Sequence, residues 1–242
     1  MLTGCENNTP SEPEVQPYPD YYPTSIGSSF KYSVTEKDSS GNLIQTGTRN
    51  ILFSGTSLYN GINYTTQEDS LNFGSQSEIN TYLVRKTDTG VFYTVDTSQI
   101  ALLIPDSLKQ YVTLRDEMQL LFYPLANGSN WSLYRVTAEV QLGIEIKILD
   151  IVASFDGIEQ VALNLDSMTV VFPSRKVKYT LEIFTEIGSA PETYTAYMWY
   201  AANIGLIKFE GNQFIISVGG GGITFEPSPN ILTQELIYYD IK

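Results

Sequence analysis

Catalysis needs nucleophiles, acids, bases or metal ligands, and in this chain the supply is narrow. The 242 residues contain no histidine and a single cysteine, Cys5. That removes Ser-His-Asp and Cys-His machinery, the usual zinc sites and any disulfide within the chain. Carboxylates, lysines and hydroxyls remain. Asp69 with Glu78, or Asp116 with Glu117, could share a proton or bind calcium. Neither set has the glycine and distal glutamate of a calcium loop, and glycosidase carboxylates are brought together by the fold rather than by a short motif. Acidic side chains on a chain this acidic belong on solvated surface. Gly219-Gly220-Gly221-Gly222 lacks the Lys-Ser/Thr of a phosphate loop and the βαβ setting of a dinucleotide site, so it reads as a turn between Phe214–Val218 and Ile223–Phe225. Lys176, Lys178 and Lys208 fall in strand-like runs, as ordinary solvated side chains. The expectation is a protein that is not an enzyme, with no cofactor and no metal.

The composition fits that reading. With 42% hydrophobic, 12% aromatic and 17% charged residues, the chain can bury a sizeable core. Its Tyr, Thr, Ser, Val and Ile favour strands over helices. A formal net charge of −13 disfavours nucleic acid and anionic membrane surfaces as partners.

The elements follow a repeated stretch. Tyr22-Pro23-Thr24-Ser25-Ile26-Gly27-Ser28-Ser29-Phe30 and Tyr123-Pro124-Leu125-Ala126-Asn127-Gly128-Ser129-Asn130-Trp131 share Tyr, Pro, Gly and Ser at one spacing, with an aromatic at the ninth position. Proline fixes φ, glycine permits a tight turn, and the aromatic opens a strand. The copies mark two related halves, 21–122 and 123–242, of one all-β domain over 21–242. In the first half Asp38–Asn42 turns a hairpin between strands Phe30–Lys37 and Leu43–Ser54, Asn60-Gly61 turns a second and Asp88-Thr89-Gly90 a third. Residues 96–122 read as one helix or a long bridging loop. The second half holds strands at Trp131–Leu142, Glu145–Phe155, Glu159–Leu165, Lys176–Thr185, Tyr194–Ala201, Gly205–Glu210, Phe214–Val218 and Leu232–Tyr239. Turns are expected at Asp156-Gly157, Gly188–Pro191 and Gly211-Asn212. The fold class is all-β: an antiparallel, curved sheet forming an open barrel or sandwich, with at most one or two short helices.

Residues 1–20 stand apart. From Glu6 to Asp20 the chain carries Pro10, Pro13, Pro17 and Pro19 and few large aliphatics, which predicts an extended, disordered tether. Just before it, Leu2-Thr3-Gly4-Cys5 resembles the lipobox of bacterial lipoproteins, although no basic and apolar signal segment precedes Leu2. The resemblance implies that Cys5 is acylated and that the membrane is a partner through this anchor, in the bacterial cell envelope.

A second resemblance covers most of Tyr123 to Lys208. Pro124…Gly128…Trp131, then Gly157-Ile158-Glu159-Gln160-Val161, Lys176-Val177, and Trp199-Tyr200-Ala201…Ile204-Gly205-Leu206-Ile207-Lys208 resemble a group of bacterial envelope proteins of unassigned activity. The group's small loop before the Lys-Val element is replaced here by Leu163–Arg175. The resemblance implies an antiparallel sheet curved around an apolar interior, with no catalytic residue to carry over.

Trp131, Tyr197 and Trp199 are the aromatics that could line a ligand cavity or fill the core, with Tyr197 and Trp199 on one strand face. The expected function is that of a lipid-anchored envelope binding protein, holding a hydrophobic ligand or a segment of an envelope protein partner in the curved sheet. The alternative is a structural or assembly accessory of the outer membrane or cell surface without a cavity. An unfilled apolar pocket of several hundred Å3 would mark the first, a solidly packed interior the second.

Overall fold

A computed structural model describes residues 18–74, 76–140, 143–184, 189–212 and 230–242, and the backbone alone at Gln76, Gln99 and Leu103. Among the described residues twelve antiparallel strands form one sheet. The first six are β1 (Ser29–Lys37), β2 (Leu43–Tyr59), β3 (Ile62–Phe73), β4 (Gln76–Thr87), β5 (Gly90–Thr94) and β6 (Glu117–Phe122). The second six are β7 (Asn130–Val140), β8 (Ile144–Leu165), β9 (Met168–Ile183), β10 (Glu192–Ala201), β11 (Gly205–Asn212) and β12 (Ile231–Asp240). Their spatial order is β6-β5-β4-β3-β2-β1-β12-β11-β10-β9-β8-β7. Each set of six is a meander in which neighbours in sequence pair. A ladder from Ser29↔Asp240 to Lys37↔Ile231 joins β1 to β12. The sheet curls into a nearly closed barrel, all-β as its composition leads one to expect.

The repeated stretch occupies the same place in both meanders. Gly27 and Gly128 sit at φ +90° and +85°, where a side chain would be strained. Ser28 N donates to Ser25 O at 3.0 Å, and Ser129 N to Ala126 O at 3.0 Å. Phe53 N then donates to Ser28 O at 3.0 Å, and Phe155 N to Ser129 O at 2.9 Å. A second correspondence follows: the ladder shifts between Phe53 and Gly55 in β2, and between Phe155 and Gly157 in β8. Phe-x-Gly is therefore a bulge in both second strands. Bulges bend a strand and increase its twist, and the hairpin arms beyond these two project from the barrel wall.

Two readings of the sequence are corrected by this geometry. Asp156-Gly157 is not a turn, because Gly157 at φ +117° lets β8 run through it as one strand from Ile144 to Leu165. Gly211-Asn212 is also in strand, paired with Ala196 and Ile231; Gly211 approaches Ala196 so closely that a Cβ would lie 2.3 Å from its Cα. Residues 96–122, open in sequence between one helix and a loop, hold one short helix and more besides. A short helix, α1 (Thr97–Leu103), is capped by Asp96 accepting from Ser98 N, and a 3-10 turn at Lys109–Tyr111 and β6 follow. The strand Phe214–Val218 and the glycines 219–222 lie outside the described residues.

Strand alternation sends Tyr93, Tyr134, Tyr179, Tyr200, Phe53 and Phe209 to the interior, where all are below 2% exposed. Each such ring contributes a few kcal/mol of hydrophobic burial. Their hydroxyls are partnered: Tyr22 bonds Tyr93, Tyr93 Oη donates to Gln67 Oε1 at 2.5 Å, and Tyr179 Oη and Tyr200 Oη lie 3.0 Å apart. Burial pushes the phenols of Tyr93, Tyr179 and Tyr200 up, so they remain neutral. Arg49 is also inside. Its Nε donates to Asp69 Oδ1 and Oδ2 at 3.0 and 2.9 Å, and its Nη1 reaches Gln234 Oε1 at 3.2 Å, which ties β2, β3 and β12 together.

Removing one partner of a buried ion pair strands the other charge. Arg49→Met should therefore cost about 3–5 kcal/mol in urea denaturation, and the double variant Arg49→Met/Asp69→Leu should recover most of that loss. A single variant as stable as the parent would show that the pair contributes nothing.

Candidate ligand cleft on the outer face

Two gaps lined by described residues of the interior are small. The gap bordered by Tyr22, Phe30, Tyr32 and Phe53 measures about 10 Å3, and the one bordered by Arg49, Met198, Tyr200 and Phe209 about 20 Å3. Each is the space of about one water molecule.

A concavity of about 470 Å3 lies instead on the outer face, between the β2–β3 arm and the seam where β6 faces β7. The arm ends in Asn60-Gly61, both at positive φ (+49° and +77°), as a tight two-residue hairpin requires. Only from Thr65 onward does β3 pair with β4, so the tip is free to lean over β5 and β6. Two side chains pin it there. Asn60 Nδ2 donates to Asp116 Oδ2 at 3.2 Å, and Tyr64 Oη to Glu117 Oε1 at 2.6 Å.

Glu117 is the fixed point of the wall. Arg85 Nε and Nη2 donate to its two oxygens at 2.5 and 2.7 Å, and the same guanidinium lies 4.3 Å from the Phe92 ring centroid. Burial alone would raise the Glu117 carboxyl, but hydrogen bonds from Arg85 and Tyr64 outweigh it and hold the group below its ordinary range. Burial first, and then the Glu117 carboxylate, push the Tyr64 phenol up to about 12. Arg115 behaves differently. Its backbone carbonyl accepts from Tyr134 Oη at 2.8 Å and its guanidinium lies 5.4 Å from the Tyr134 ring, while among the described residues it makes no ion pair. Ser132, on β7, also lines the cleft, and its Oγ is buried without a hydrogen-bond partner.

The seam itself carries no ladder. Trp131 Nε1 donates to Gln119 O at 3.1 Å and Tyr179 Oη to Leu120 O at 3.2 Å, so side chains satisfy carbonyls that a paired strand would otherwise take. Trp131 is 8% exposed, edge-on to Tyr179 and stacked on Phe122.

The aromatics singled out from sequence do not meet in one site. Trp131 points into the barrel. Tyr197 and Trp199 share a face, their centroids 6.2 Å apart, but it is the outer one, because Ala196, Met198 and Tyr200 take the inner side of β10. Trp199 is nonetheless 5% exposed, since Lys176 and Lys208 lie 5.2 and 5.0 Å from its ring and Glu159 Oε2 accepts its indole N–H at 2.7 Å. Those two lysines are therefore lids over an aromatic rather than freely solvated. Asp69 is neutralised by Arg49 inside the barrel while Glu78 is exposed on β4, and Cys5 lies outside the described residues. Sequence reasoning missed Arg85, Arg115 and Ser132. Near the cleft, Asn60-Gly61 and the Asp116 and Glu117 carboxylates were the legible signals.

The chain matches no family model and no curated protein. Two solved structures are similar to it. A candidate lipoprotein of Parabacteroides distasonis ATCC 8503 is 14% identical, with a TM-score of 0.49 over 93% of this chain and 100% of that one. A candidate exported protein with a YmcC-like fold, from Bacteroides fragilis NCTC 9343, is 15% identical, with a TM-score of 0.47 over 92% and 99%. No residue role is carried over from either.

Glu117 supplies a pH test. A carboxyl held below its ordinary value stabilises the fold fully above the unfolded value, about 4.3, and that stabilisation is lost as pH falls through the folded value. Glu117→Gln should cost about 1–3 kcal/mol at pH 7. The gap to the parent should close in acid, as denaturation midpoints at pH 7 and pH 3 would show; a constant gap would mean that the Arg85 contact does not depend on charge.

Proposed function

We propose that this protein is a lipid-anchored binding protein of the bacterial cell envelope, tethered through Cys5, that recognises its ligand in the outer-face cleft and not in the barrel lumen. The observation that carries the reading is the contrast in space. The two gaps described inside the barrel, about 10 and 20 Å3, are too small for an organic ligand, whereas about 470 Å3 is the size of a small-molecule site. The cleft mixes apolar side chains, Tyr59, Ile62, Phe92 and Leu114, with charged and amide groups in about equal measure. The anchor rests on Leu2-Thr3-Gly4-Cys5 followed by the proline-rich tether. A hydrophobic ligand inside the curved sheet is not retained as the leading idea. The filled interior also favours a second reading, an assembly accessory that works through its surface. Exposed apolar side chains on the two hairpin arms, Leu58 at 71% and Met168 at 67%, would then be its contacts.

Catalysis forms no part of the proposal, since Glu117 is committed to Arg85 and Tyr64. Two measurements test it. Expressed behind a bacterial signal peptide, the parent should partition into membranes in a detergent-dependent way and Cys5→Ser should not; equal partitioning would remove the anchor. Fragment screening by protein-observed NMR should give shifts clustered at Tyr59, Gln119 and Ser132. Shifts confined to interior residues such as Tyr200 and Phe209, or no shifts at all, would overturn the cleft as the binding site.

A further inference from the structure

The charges of the cleft do not cancel in place. Of the five arginines, Arg49, Arg85 and Arg135 are in ion pairs and Arg175 donates to Tyr21 Oη and the Leu125 carbonyl. Among the described residues Arg115 does neither, and its guanidinium lies against the Tyr134 ring. Its neighbour Asp116 accepts one amide hydrogen bond from Asn60 and, although adjacent in the chain, is not paired with Arg115. Glu117 is neutralised by Arg85. The cleft lining thus includes one cation and one carboxylate that are not ion-paired among the described residues, Arg115 against the Tyr134 ring and Asp116 against the Asn60 amide. Tyr59, Ile62 and Leu114 supply apolar surface in the same lining.

A ligand with a carboxylate alone would satisfy Arg115 and leave its charge facing Asp116 on a chain of net charge −13. A ligand with an ammonium alone would face Arg115. A ligand bearing both leaves neither charge open. Resting on the reading of the cleft as the binding site, we propose that its ligand is zwitterionic, a short peptide with free termini. Its carboxylate sits on the Arg115 fork, its ammonium on Asp116, and its apolar side chains lie against Tyr59 and Ile62. Arginine suits the carboxylate because its planar N–H fork grips both oxygens.

The test uses the full chain carrying Cys5→Ser and four probes: Leu-Leu, its N-acetyl form, its C-terminal amide and the doubly blocked form, titrated by protein-observed NMR. Leu-Leu should shift the Arg115 and Ser132 resonances, and each block should weaken binding about tenfold, as expected for loss of one charge-assisted hydrogen-bonded contact. Arg115→Gln should abolish the penalty of amidation, and Asp116→Asn that of acetylation. All four probes binding within twofold of one another, or none moving cleft resonances that screening fragments do move, would overturn the zwitterion and leave the cleft standing. If neither peptides nor fragments move those resonances, both readings fall.

Discussion

The ladder between β1 and β12 is the constraint on which the rest of the sheet depends. Every other ladder joins strands adjacent in sequence and would survive within one six-strand meander, whereas this one spans the chain from Ser29 to Asp240. Arg49 crosses the same junction through the interior, binding Asp69 on β3 and Gln234 on β12. On the opposite side the corresponding junction, β6 against β7, is closed by the Trp131 indole and the hydroxyls of Tyr134 and Tyr179 reaching backbone carbonyls. One junction is a ladder and the other a row of side-chain donors. The outer-face cleft lies over the second.

The two hairpin arms show how one local device gives two results. Each begins beyond a Phe-x-Gly bulge in the second strand of its half. The β8–β9 arm brings Glu159 onto Trp199 and Lys176, and the lysine stems close over the ring. The β2–β3 arm reaches further round, to Asp116 and Glu117, and leaves open space beneath it. Inside the barrel, tyrosines fill both halves, and their hydroxyls are satisfied by one another, by Gln67 and by carbonyls. Partnering stabilises these phenols because a buried polar tip that keeps a hydrogen bond avoids the cost of desolvation; the buried Tyr123 hydroxyl and Gln67 Nε2 are the exceptions.

Much of the fold was legible from residues with strong local preferences. The Asn60-Gly61 hairpin, the paired lead-ins at Gly27 and Gly128, and the alternation of β1 and β10 all act within a few residues. What failed was local chemistry with two physical solutions. Asp156-Gly157 looks like a turn, but glycine at positive φ serves a bulge equally well, and the pairing of Phe155 with Val177 chose the bulge. Residues 96–122 mix a seven-residue helix, a 3-10 turn and a six-residue strand, each too short for its periodicity to register. The cleft was less legible still, because Tyr64, Arg85, Phe92, Glu117 and Ser132 come from five different strands and meet only through the register of the sheet. Trp199 is instructive in the same way: its burial could be guessed, but its outward direction depended on Tyr200 occupying the inner face.

The central proposal is that recognition takes place outside the barrel and not in its interior. Native mass spectrometry of the full chain carrying Cys5→Ser, purified from cells without detergent, tests it most directly. The account predicts the mass of the bare polypeptide, with no lipid or other hydrophobic molecule retained. A stoichiometric hydrophobic adduct that survives gentle desolvation, and is released only when the protein unfolds, would contradict it.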